Sequence, residues 1–140
     1  MTELTPKERI LENAVSMFSE KGYHGTSMRE LAAASGCSLP TMYYHYKSKN
    51  DLFEEIVINQ FLAINEKMNS TLHTGMSPQD IFFQVIKSKM ELKGFDREVY
   101  KMALKVWLGF EGQDTARDKI RQWEQKRAAA NRSIIGKVVS

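Results

Sequence analysis

Apolar residues recur at helical spacing almost from the start of the chain. Ile10, Leu11, Ala14, Met17 and Phe18 fall on one stripe of a period of about 3.6 residues. "TPKE" at residues 5 to 8 opens that stripe as a capping box, with Pro6 in the first turn, and Gly22 ends it. "SMRE" predicts a short second helix: Ser27 and Glu30 form another capping box, Met28, Leu31 and Ala32 supply the apolar face, and Gly36 closes it. Ser38 caps a third helix, where Pro40 sits in the first turn and breaks no intrahelical bond. Two short helices joined by a Gly-containing turn describe a helix-turn-helix.

Beyond Lys49 the predicted helices lengthen. "SKNDLFEEIVINQFLAINEKMNSTL" keeps Leu52, Phe53, Ile56, Ile64 and Met68 on one side. Ser77, Pro78 and Asp80 open the next helix, with Ile81, Phe82, Val85, Ile86 and Met90 expected inside and an end near Gly94. Asp96 begins a further helix through Tyr100, Leu104, Trp107 and Leu108 to Gly109 and Gly112. Asp114 or Thr115 caps a last one reaching about Ile135. No strand-like alternation, repeat or low-complexity tract appears, so the expected fold class is all-α.

Composition narrows the picture. The 140 residues are 42% hydrophobic, enough for about one domain, or a small head on a helical body. No segment approaches the roughly 20 apolar residues of a membrane span, and the N-terminus has no apolar targeting core. With Cys37 as its single cysteine the chain has no internal disulfide. A cytoplasmic protein with no membrane partner is expected.

The net charge of +3 argues little by itself. Residues 1 to 60 carry six Lys/Arg against eight Asp/Glu, and residues 61 to 140 carry fourteen against nine. Within residues 21 to 49, however, Lys21, Arg29, Lys47 and Lys49 face only Glu30, a local basic patch.

On a helical wheel "LPTMYYHYK" separates its rings. Met42 and Tyr46, with Leu39 nearby, form the inward stripe; Pro40, Thr41, Tyr44 and Lys47 point the opposite way; Tyr43 and His45 lie on the flanks. The outward face offers an apolar ring, a hydroxyl, a phenol and an ammonium, which suit a thymine methyl, base edges and phosphates in a DNA major groove. The N-termini at Ser27 and Ser38 present free N–H groups to phosphate oxygens, with Lys49 as a third anchor. The plainer readings are that Tyr43 mainly packs and that His45 is a solvated flank residue.

The stretch "GTSMRELAAASGCSLPTMYYHYKSKNDL", residues 25 to 52, resembles the DNA-binding head of the TetR-type transcriptional regulator family. Ala34, Gly36, Ser38, Thr41, Tyr43, Tyr44, His45, Tyr46, Lys47, Ser48, Lys49, Asp51 and Leu52 stand in the family's order. The resemblance implies that Arg29 reaches a base or phosphate, that Pro40, Thr41 and Tyr44 face the bases, and that Tyr43, His45 and Lys49 hold the backbone. Cys37 replaces the usual Val, and Leu39 stands where a polar residue is common, which bears on base specificity.

The resemblance further implies a helix-turn-helix domain at residues 1–49 and a helical regulatory domain at 50–140 that lacks the last family helices. It implies a homodimer on a palindromic double-stranded DNA operator, released by a small-molecule effector. Phe61, Met90, Tyr100 and Trp107 are candidates for the effector pocket, although aromatic stripes at helical spacing usually mean core. The alternative is a truncated helical ligand-binding or protein-interaction module without specific DNA binding.

His24 and His73 have no neighbours at metal-ligand spacing. The chain carries no H-E-x-x-H, P-loop or G-x-G-x-x-G motif. Neither cofactor, metal nor enzymatic activity is expected.

Overall fold

The computed structural model describes residues 3–109 and, beyond them, residues 118, 119, 121, 122, 124–126, 128, 129 and 132, all helical. The described elements are α1 (Pro6–Lys21), α2 (Met28–Ala34), α3 (Leu39–His45), α4 (Lys49–Glu54), a π-helical turn (Glu55–Gln60), α5 (Phe61–Asn69), α6 (Pro78–Met90) and α7 (Gly94–Trp107). The fold is all-α, with a helix-turn-helix head at its N-terminus. The expected last helix, with its caps at Asp114 or Thr115 and its end at Ile135, has those three positions outside the described residues.

Local chemistry sets most boundaries. The Thr5 side chain accepts from the Glu8 amide at 3.2 Å and the Glu8 carboxylate accepts from the Thr5 amide at 2.7 Å, so the capping box of α1 is complete. Ser77 starts α6 by accepting from the Asp80 amide. At α2 only half of the expected box forms: Ser27 Oγ accepts from the Glu30 amide at 3.1 Å. The Glu30 carboxylate instead pairs with Lys21 at 3.3 Å, because the end of α1 brings an ammonium within reach. The turn after α2 needs a left-handed residue, which Gly36 supplies at φ 67°.

One apolar core joins head and body. Ile10, Ala14, Val15 and Phe18 of α1 meet Leu31 and Met42 from the head, Leu52, Phe53, Ile56 and Val57 from the α4–π segment, and Val99, Met102 and Val106 from α7. Phe53 stands edge-on to Phe18 at 5.3 Å and to Tyr23 at 5.0 Å, a geometry that aromatic quadrupoles favour. Through these contacts α1 is held between α2 and α7.

Three body expectations change. The long helix after Ser48 contains a wide turn over Glu55–Gln60, where the Glu55 carboxylate accepts from both Asn59 and Gln60. α7 begins at Gly94, not Asp96, since the positive φ of Gly94 lets the chain re-enter a helix after the short joint from α6. The third concerns α6, whose apolar residues were expected inside. Ile81 and Val85 are half-buried, whereas Phe82, Phe83, Ile86 and Met90 are exposed. α6 packs chiefly on α5, so one side of the helix is covered and the other is bare.

Candidate nucleic-acid interface

Helix α3 divides its side chains sharply. Met42 is fully buried and Tyr46 is 6% exposed, while Tyr44 is 85% exposed and Tyr43 46%. Pro40 is exposed, and Thr41 and His45 are half-buried beside them. Ser38 fixes the start of the helix: its Oγ accepts from the Thr41 amide at 3.2 Å and shares a hydrogen bond with Thr41 Oγ1 at 2.9 Å. The Tyr44 ring rests edge-on against His45 at 5.2 Å.

The helix ends at His45. Tyr46 is extended, with φ −137° and ψ 118°, so Lys47 does not continue the face carrying Pro40, Thr41 and Tyr44, as the wheel had it. Lys47 is exposed in the loop before α4. Burial of Tyr46 beneath α1 leaves its hydroxyl with no hydrogen-bond partner among the described residues. Burial first, and the negative charge of Glu55 second, push that phenol up to about 12.

Beside α3 lies an open cleft of about 470 Å³ that gathers Ser27, Arg29, Leu39, Tyr43 and Lys49 of the predicted set. Arg29 is exposed at its rim. Lys49, the first residue of α4, turns part of its charge inward: Nζ donates to the Tyr23 carbonyl at 2.9 Å and lies 4.2 Å from the Tyr23 ring centre. An ammonium has three donors, so two remain for the cleft.

The same cleft includes His24, Gly25 and Thr26, which motif reasoning passed over. Their signal is position, in the residues leading into the Ser27 cap. Gly25 is required by space, because a Cβ there would stand 2.2 Å from the Lys21 carbonyl oxygen. Thr26 is buried and donates from Oγ1 to the Gly22 carbonyl at 2.9 Å, tying down the loop that presents His24 and Ser27.

The pocket candidates scatter. Phe61 is buried and faces Tyr100 with ring centres 5.3 Å apart, and Trp107 packs partly buried against the core. Met90 is 81% exposed on the bare side of α6 and lines no interior with them, because α6 turns that position away from the body. Among the described residues no group of three or more His, Cys, Asp or Glu is placed to hold a metal ion, and no helix is long and apolar enough to cross a membrane.

Residues 10–56 match the family described as bacterial regulatory proteins, tetR family. The icaADBC biofilm-operon HTH-type negative transcriptional regulator IcaR of Staphylococcus aureus strain Newman is 31% identical over 70 residues, which is 46% of this chain and 38% of that protein. Its Staphylococcus epidermidis counterpart is 36% identical over 55 residues, 39% of this chain and 30% of that one. The chain thus spans well under half the length of these curated relatives.

Among solved structures, a TetR-like transcriptional regulator from Rhodococcus sp. RHA1 superposes with a TM-score of 0.78 at 20% identity, covering 98% of this chain and 73% of that one. A regulator from Saccharomonospora viridis in complex with choline gives 0.75 at 22%, covering 94% and 69%. At such identity the likeness speaks to fold alone. The chain's head sequence over residues 10–56 is thus similar to that of the tetR family of bacterial regulatory proteins, and its helical architecture to the fold of TetR-like regulators.

Proposed function

We propose that the protein is a DNA-binding transcriptional regulator, a repressor that grips a palindromic operator as a homodimer and is released by a small molecule. The observation that carries the reading is the outward face of α3, where Tyr44 stands 85% exposed beside Pro40 and Thr41 while Met42 and Tyr46 hold the helix to the core. A phenol exposed to that extent contributes little to packing and much to a groove.

In this reading Pro40, Thr41 and Tyr44 meet base edges. Ser27, Arg29, Ser38, Leu39, Tyr43, His45 and Lys49 set the helix against the phosphates. Residues 1–49 form the reading head and residues 50–140 the regulatory body. The relative named as a negative transcriptional regulator supports repression. The structural neighbour named as a choline complex supports an effector for this architecture. Phe61 and Tyr100, with Trp107, are the aromatic surfaces such an effector would engage. Two recognition helices on successive major grooves must sit about 34 to 36 Å apart, and a ligand preferring another spacing lowers affinity by its differential binding, commonly about 1 to 3 kcal/mol.

Fluorescence anisotropy with double-stranded DNA, titrated over a range of salt, tests this. Binding that weakens with salt and depends on Tyr44 supports the reading. Affinity indifferent to Tyr44→Ala and Thr41→Ala at every salt concentration overturns it and favours a helical interaction module.

A further inference from the structure

We infer that His24 is a further phosphate contact of the reading head, one that the motif does not assign, and that it links DNA binding to proton uptake. The inference rests on the DNA-binding reading and names the side chain that gives that face a response to pH.

His24 stands exposed in the loop between α1 and α2, on the cleft that also takes in Arg29, Tyr43 and Lys49. Its ring is held from behind. It lies edge-on to Tyr23, with centres 5.1 Å apart and planes at 86°. Tyr23 is itself buried, edge-on to Phe53 and stacked on Phe18. The backbone that follows is pinned as well, by the close approach of Gly25 to the Lys21 carbonyl and by the Thr26 hydroxyl donating to the Gly22 carbonyl. An imidazole on so fixed a support loses little freedom when it meets a ligand.

The Tyr23 ring joins His24 to the Lys49 anchor. Lys49 Nζ lies 4.2 Å from the centre of that same ring, so imidazole and ammonium reach the cleft from one aromatic support. Neither ring nitrogen of His24 has a hydrogen-bond partner among the described residues. Both are open to an incoming oxygen.

The groups that face His24 leave the cleft positive. Arg29 on α2 and Lys49 on α4 are cations and Tyr43 on α3 is a phenol, while the Glu30 carboxylate is already paired with Lys21 at 3.3 Å. The partner that suits such a cleft beside a recognition helix is an anion, and along a DNA groove that anion is a backbone phosphate.

A phosphate oxygen at an imidazole nitrogen favours the protonated ring. Histidine changes charge between about pH 5 and 8, so DNA seated in the cleft takes up a proton there, and binding tightens as pH falls. His45, half-buried on the flank of α3, is the other imidazole of this face, whereas His73 follows α5 in the joint to α6.

Fluorescence anisotropy of the full chain with a mixed-sequence duplex, in phosphate-free buffer at pH 6 and pH 8 over a range of salt, tests the inference. Phosphate contacts carry no sequence information, so the operator is not needed. The parent is expected to bind about three- to fivefold more tightly at pH 6, the scale of one exposed charge contact, with a salt slope steeper by about one unit. His24→Gln is expected to lose most of both differences, in the parent and in a His45→Gln background alike, while melting as the parent does. His24→Lys, whose charge is permanent, is expected to bind at pH 8 as the parent binds at pH 6.

A pH response that His24→Gln leaves unchanged, or a His24→Lys protein no tighter than His24→Gln at pH 8, overturns the inference. The DNA-binding reading then stands, provided that the parent's affinity still depends on Tyr44. A parent that binds no duplex at either pH overturns that reading and the inference with it.

Discussion

The Lys49 ammonium sits 4.2 Å from the centre of the Tyr23 ring and donates to the Tyr23 carbonyl at 2.9 Å, bolting the first turn of α4 to the loop between α1 and α2. A cation over an aromatic face contributes about 0.5–1 kcal/mol and a hydrogen bond from a charged donor somewhat more. Lys49→Met is therefore expected to lower stability by about 1–2 kcal/mol in urea unfolding. Because the remaining donors face the cleft, the same substitution should reduce the salt slope of DNA binding by about one unit. A stability loss with an unchanged slope would make Lys49 purely a bolt.

Tyr44 should behave in the opposite way. Its exposure predicts that Tyr44→Ala leaves stability within about 0.5 kcal/mol of the parent. DNA affinity should fall by roughly tenfold, about 1.4 kcal/mol, with altered sequence preference. Thermal melting and anisotropy on the same preparation check both halves.

Met42, directly behind it, is fully buried. Met42→Ala is expected to cost about 2–5 kcal/mol through the lost contacts and the cavity left behind. DNA binding would then fail because the head unfolds, visible as a lowered melting temperature before any effect on specificity.

Tyr46 predicts an alkaline signature. Its phenol is pushed up to about 12 from an ordinary 10.0, so the folded state disfavours the phenolate. The stability this contributes is whole below pH 10 and is lost as pH rises from 10 toward 12. Tyr46→Phe removes that loss. Because the hydroxyl has no hydrogen-bond partner among the described residues, the substitution should cost less than about 0.5 kcal/mol at neutral pH. Denaturant melts of the two proteins at pH 8 and above give the answer, and parallel alkaline losses would contradict it.

Glu8 predicts an acid signature of the other sign. Its carboxyl is lowered from 4.5 by hydrogen bonds to the Thr5 backbone and then the Thr5 side chain. The stability it adds is present above pH 4.5 and is lost as pH falls through the lowered value. Glu8→Gln should flatten the acid limb of melting temperature against pH; superimposable acid limbs would rule out this role for the capping box.

The head was largely legible in the residues because its determinants are local. Thr5, Ser27, Ser38 and Ser77 each bond an amide three positions on, and the helical period alone sorted Met42 and Tyr46 inward from Tyr44 outward. What escaped depends on distant partners. No local marker announces the π turn at Glu55–Gln60. The inward turn of Lys49 requires a ring 26 positions earlier. The pairing of Glu30 with Lys21 depends on how α1 meets α2. In α6 apolar residues occupy both sides, so periodicity finds the helix without saying which side is covered; packing on α5 covers Ile81 and Val85 and leaves Met90 outside.

The central claim, that α3 reads DNA through Pro40, Thr41 and Tyr44, is met most directly by selecting bound duplexes from a random pool with the parent chain and with Tyr44→Ala. The account predicts that the parent enriches an inverted repeat, with half-sites about one helical turn or a multiple of it apart, and that Tyr44→Ala shifts or erases the bases within each half-site. A parent selection no different from the input pool, or an identical motif from both proteins, would contradict it.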